Sequence, residues 1–83
     1  MRQIVETLQD IKGKQVDIYT DHKLFGKQHV AMEFEPETEI GLGFKCKGQT
    51  IYIDNNDIID YSIENNVIVI DGKLMCIKIV KSI

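Results

Sequence analysis

The chain contains no tryptophan, one proline, two cysteines and two serines in 83 residues. Each scarcity removes a class of function. Cys46 and Cys76 are far apart and form no Cys-x-x-Cys. They encode neither a zinc ribbon nor a disulfide framework, and read as free, partly buried thiols in a reducing compartment. Ser62 falls mid-strand and Ser82 in the tail, neither within a nucleophile elbow. Gly41-Leu-Gly43 lacks the further glycine and the helix that a phosphate-binding loop requires. No run of 18 apolar residues exists to span a membrane. The opening MRQIVETLQD has neither an apolar signal core nor a small-residue cleavage site. These absences predict a cytoplasmic protein that is not an enzyme, holds no cofactor and does not enter a membrane.

Charge and ligand spacing narrow the field further. A formal charge of −3 gives no general attraction to nucleic acid. Asp54-Asn-Asn-Asp57 lacks the glycine and closing glutamate of a calcium loop, so it reads as a turn. His22 and His29 flank a loop with no third ligand placed beside them, and read as surface histidines. No metal site is expected.

Isoleucine is abundant, which fits a sheet-rich fold. The most ordered signal lies in Ile58–Ile79, which reads as three strands joined by Asn65-Asn66 and Asp71-Gly72 turns. Pairing Glu64 with Val67 sets Ile63 against Ile68 and Tyr61 against Ile70. Pairing Ile70 with Lys73 sets Ile68 against Met75. Both turns then bury one face, containing Ile59, Tyr61, Ile63, Ile68, Ile70, Met75, Ile77 and Ile79. The opposite face is polar at its ends and apolar in its middle.

Upstream, residues 2–12 carry Ile4, Leu8 and Ile11 on one helical stripe, with Gly13 as a C-cap. Strands are expected at 14–20, 28–35 (ended by Pro36), 40–47 and 50–54, with a turn at Gly48-Gln49. Gly41 and Gly43 mark a bend or a close backbone approach. Short antiparallel strands with bending glycines and one N-terminal helix predict a single mainly β domain over residues 1–83, built as a small, strongly bent antiparallel β-barrel. So small a core favours a homo-oligomer.

Two sets of residues are candidates for binding. Lys14, Lys45, Lys47 and Lys73, with Tyr52 as a stacking surface, are placed to hold RNA or single-stranded nucleic acid. Glu33, Glu35, Glu37 and Glu39 line an acidic extended stretch that would engage a basic protein, as a small inhibitor of phage or mobile-element type does. A solvated edge strand using like charge against aggregation is the plainer reading of the same residues.

Two segments carry a resemblance. Leu8-x-x-Ile11-x-Gly13-Lys14-x-Val16-x-Ile18 is a helix leading directly into a strand, and Val69-Ile70-Asp71-Gly72-Lys73-Leu74-x-x-Ile77 is a strand, a glycine turn and a last strand. Together they resemble the two motifs of Sm-like proteins. The resemblance implies an SH3-type small barrel that assembles into rings and binds single-stranded RNA. Gly13, Lys14, Gly72 and Lys73 are the residues that carry over. Asp71 stands where the family has a basic residue, and the family's base-holding Asp-x-x-Asn segment has no counterpart between Gly26 and Lys47.

Overall fold

The computed structural model describes residues 2–37, 43–53 and 55–82. Helix α1 (Arg2–Asp10) is followed by β1 (Gln15–His22), β2 (Gly26–Glu33), β3 (Gly43–Cys46) and β4 (Gln49–Tyr52). A 3-10 turn at Asn55–Asp57 leads into β5 (Ile58–Glu64), β6 (Val67–Gly72) and β7 (Met75–Lys81). Five strands form one antiparallel sheet in the order β2-β1-β7-β6-β5, and β3-β4 form a separate hairpin. Among the described residues, no helix is long and apolar enough to cross a membrane.

The expected closed barrel is not what this sheet forms. Among the described residues, β2 and β5 are its two open edges. The hairpin joins it through a bend after β2. Phe34 still pairs with the residue just ahead of β1, its N–H donating to the Lys14 carbonyl at 2.9 Å. Glu35–Glu37 then runs along β3: Lys45 N–H donates to the Glu35 carbonyl at 2.8 Å and Glu37 N–H to the Gly43 carbonyl at 3.0 Å. Pro36 therefore does not stop the pairing. It faces Phe44 at a position where no ladder bond is made, so its missing N–H costs nothing.

Alternation along β1, β6 and β7 sends Val16, Ile18, Ile68, Ile70, Ile77 and Ile79 to the inner face, all buried. Phe34 and Phe44 complete the core, with ring centroids 5.7 Å apart. A nine-residue helix is marginal alone in water. Here Ile4, Leu8 and Ile11 are all buried in the same core, contributing roughly 1.5–3 kcal/mol apiece. The helix ends at Asp10, two residues short of the expected end, and a turn over residues 11–13 closes with Gly13, which takes φ +79° and donates to the Phe34 carbonyl.

The first turn of the C-terminal meander has the expected register, with Glu64 against Val67, Ile63 against Ile68 and Tyr61 against Ile70. The second differs. Ile70 pairs with Ile77 and Ile68 with Ile79, so Lys73-Leu74, not Asp71-Gly72, is the connection. With the turn moved two residues on, β6 pairs with β7 from Asp71–Cys76 as far as Val67–Val80. The slip is an even number of residues, so the buried face is unchanged. Gly72 is the last residue of β6, and a close approach favours glycine there: a Cβ would lie 2.9 Å from the Met75 carbonyl oxygen. Ile59 was expected inside but is exposed, because the register between β5 and β6 shifts between Ile58 and Asp60 and leaves it unpaired. The β3–β4 turn is Lys47-Gly48, both with positive φ (52° and 80°), rather than Gly48-Gln49. Gly43, at φ +143°, lets the Ile51 backbone pack where a side chain would sit. The expected strand residues 40–42 lie outside the described residues.

Candidate interaction surfaces

The candidate lysines do not converge. Lys14 is exposed ahead of β1. Lys45 and Lys47 flank a groove between β2 and the β3–β4 hairpin, where Glu33, Glu35 and Thr50 also lie. Lys45 Nζ is 3.6 Å from Glu35 Oε1 with both side chains largely exposed, a pair worth little in stability. It nonetheless sets one candidate cation against one candidate anion. Lys73 and Tyr52 lie elsewhere, around a hollow beside the β6–β7 connection.

The acidic stretch is also divided. Glu33 and Glu35 are exposed, whereas Glu37 is 8% exposed, turned inward by the bend after Phe34. Glu39 lies outside the described residues.

Two other surfaces stand out. The first is the outer face of the five-stranded sheet, opposite the core. Strand alternation and register place Lys27, His29, Ala31 and Glu33 of β2 there, with Asp17, Tyr19 and Asp21 of β1. Cys76, Lys78 and Val80 of β7 follow, then Val67, Val69 and Asp71 of β6, and Asp60, Ser62 and Glu64 of β5. Glu33, Asp17, Asp21, Asp60, Glu64 and Asp71 face Lys27 and Lys78, so acids outnumber lysines threefold among the described residues. The middle of the face holds Val67, Val69 and Val80, half-buried, and exposed Tyr19, with the exposed Lys78 between Tyr19 and Val69. Tyr19 stacks on His29 at a centroid distance of 4.5 Å, and His29 Nε2 is 2.9 Å from Asp17 Oδ1. Burial pushes the Cys76 thiol up from its ordinary value, and the Asp71 and Asp21 carboxylates push it further, against the pull of Lys78.

The second surface is at one end of the sheet. The β1–β2 turn carries Leu24 and Phe25, 75% and 76% exposed. His22 Nδ1 accepts from the Leu24 and Phe25 N–H groups at 3.0 and 3.3 Å, and its ring lies 4.7 Å from that of Phe25. Lys23 N–H donates to the Leu74 carbonyl at 2.8 Å, tying this turn to the β6–β7 connection. Between them and β4 opens a hollow of about 170 Å³, lined by His22, Tyr52, Ile58, Ile70, Leu74 and Met75 among others.

Sequence reasoning missed both. The acidic face was visible only as polar ends on the meander's second face, because Asp17, Asp21 and Glu33 join it through register. The apolar Leu24-Phe25 pair between polar residues in DHKLFGK was the sequence signal for the second surface. No group of three or more potential metal-ligating side chains converges among the described residues.

No family model matches the chain, and no curated protein or solved structure is significantly similar to it.

Proposed function

We propose that the chain is a non-enzymatic binding module whose partner is a basic protein, docked on the outer face of the five-stranded sheet. The observation that carries this is the composition of that face: a carboxylate-rich border around half-buried valines, Tyr19 and a single central lysine, Lys78, with no strand or helix among the described residues laid over it. An apolar centre with a charged rim is the usual anatomy of a protein interface. An excess of one charge selects partners of the opposite sign and speeds encounter. On this reading the acidic character expected of Glu33–Glu39 is carried by Glu33 together with carboxylates from three other strands, β1, β5 and β6. Free Cys46 and Cys76 agree with a reducing, cytoplasmic setting.

A second reading, single-stranded nucleic acid, has one observation in its favour: Tyr52 and Lys73 border the same hollow, a stacking ring beside a cation. It accords with the Sm-like resemblance. On that reading the strand path β5-β6-β7-β1-β2, continued through Glu35–Glu37 into β3 and β4, is a small barrel with one seam open between β4 and β5.

Titration of a lysine/arginine-rich amphipathic peptide, with single-stranded RNA alongside, tests both. The peptide should bind at low salt and weaken steeply as salt rises. Changing Asp60 and Asp71 together to Asn should lower its affinity about tenfold, while Asp10→Asn, on the helix, should leave it unchanged. Equal affinity in all three proteins defeats the basic-partner reading. Salt-sensitive RNA binding lost in Lys73→Ala supports the second.

A further inference from the structure

The end surface combines a hollow and a protruding ring that fit one another, and we infer that it is a reciprocal contact between two copies of this chain. This does not rest on the basic-partner reading, which uses the opposite side of the sheet. The hollow measures about 170 Å³ and is lined largely by Ile58, Ile70, Leu74, Met75 and the Tyr52 ring. A dry apolar cavity of about 150 Å³ holds one benzene-sized group. Drug-sized ligands take about 300–1,000 Å³, so this hollow is matched to a single side-chain ring.

The chain presents such a ring beside the opening. Phe25 is 76% exposed and does not line its own hollow. The backbone of the turn tip that carries it is fixed by the Leu24 and Phe25 N–H bonds to His22 Nδ1, its ring lies 4.7 Å from that of His22, and His22 does line the hollow. Donor and acceptor therefore share one end of the molecule, joined by the Lys23–Leu74 bond. A ring and a hollow at remote sites would build open chains. Adjacent ones are satisfied together about a two-fold axis through that end, the closed isologous arrangement. Leu24 and Leu74, 75% and 54% exposed, would flank the inserted rings.

Area sets the strength. An aromatic side chain buries about 150–250 Å², so Phe25, Leu24, Tyr52 and Leu74 would together remove roughly 400–500 Å² per copy. The total of roughly 800–1,000 Å² falls below the ~1,200–2,000 Å² of stable complexes. A contact of that size belongs with weak, transient associations.

Sedimentation velocity of the full chain between about 1 µM and 1 mM reads this directly. The wild type should pass from monomer to dimer within that range. Phe25→Ser, which removes the ring, and Leu74→Glu, which charges the rim of the hollow, should each stay monomeric with unchanged circular dichroism. An equimolar mixture of the two retains one ring facing one intact hollow, and should recover measurable heterodimer. A wild type that is monomeric throughout overturns the inference. So does a Phe25→Ser protein that dimerises as the wild type does, or a mixture that stays monomeric.

Discussion

Asp60 stands directly opposite Asp71 in the β5–β6 ladder. The row continues through Asp71 opposite Cys76 and Cys76 opposite Asp21. Like charges facing one another across a sheet destabilise it, and a neutral pair there would remove the repulsion. Edge strands do carry charge to resist stray pairing, but β6 is internal to the sheet, so edge protection does not account for Asp71. On the proposed basic-partner reading, positive charge brought by the partner would.

Replacing Asp71 by Asn measures the stored repulsion. Asp71 is the better target, since Asp60 Oδ1 already accepts from the Tyr61 N–H at 2.8 Å. The change should stabilise the fold by about 0.2–1 kcal/mol, seen as a higher urea midpoint with an unchanged slope. The gain should shrink in about 0.5 M salt, where the Debye length is only a few ångströms. A lower midpoint at low salt would mean that the two carboxylates do not oppose folding.

Cys76 reports on the same row through its reactivity. Its thiol is held above the ordinary value, first by burial and then by Asp71 and Asp21. Only the thiolate attacks an alkylating reagent, so a raised value lowers the reactive fraction at mildly alkaline pH. Iodoacetamide should therefore label Cys76 more slowly in the folded protein than in urea at the same pH. Asp71→Asn should move the folded-state rate profile to lower pH without removing the burial contribution. A profile unmoved by that change would leave burial alone responsible.

What the sequence disclosed follows from period. The stripe Ile4, Leu8, Ile11 and the alternation in β1, β6 and β7 named most of the core, because burial imposes 3.6- and 2-residue repeats that survive errors in register. The second meander turn shows this well: the partner of Ile70 moved from Lys73 to Ile77, yet no core residue changed face. Ile59 was lost because a shift in ladder register breaks the period without a compositional mark. The surfaces were harder to read. Asp21, Asp60 and Asp71 lie in three separate segments, and only strand order brings them into one row. Glu33–Glu39 looked like one acidic edge because alternation was extended across a bend, beyond which Glu37 is buried. Lys45 and Glu35 were assigned to rival sites and are neighbours.

Lys47 offers a test that separates stability from charge. It is the one non-glycine residue with positive φ among the described residues, at 52°, and is followed by Gly48 at 80°. That pair is the two-residue hairpin geometry in which asparagine is at home and lysine is not. The left-handed conformation costs an ordinary residue roughly 1–2 kcal/mol, and asparagine less. Lys47→Asn should therefore stabilise the protein by about 0.5–1 kcal/mol, measurable as a raised urea midpoint. The same change removes one of the two lysines flanking the β2–β3 groove. If nucleic acid tracks over that hairpin, affinity for single-stranded RNA should fall and its salt dependence should shallow by about one unit of slope. On the basic-partner reading, peptide binding should persist or strengthen slightly, because the net charge becomes more negative. A destabilised Lys47→Asn protein would show that the lysine side chain makes a contact at the tip that outweighs its backbone strain.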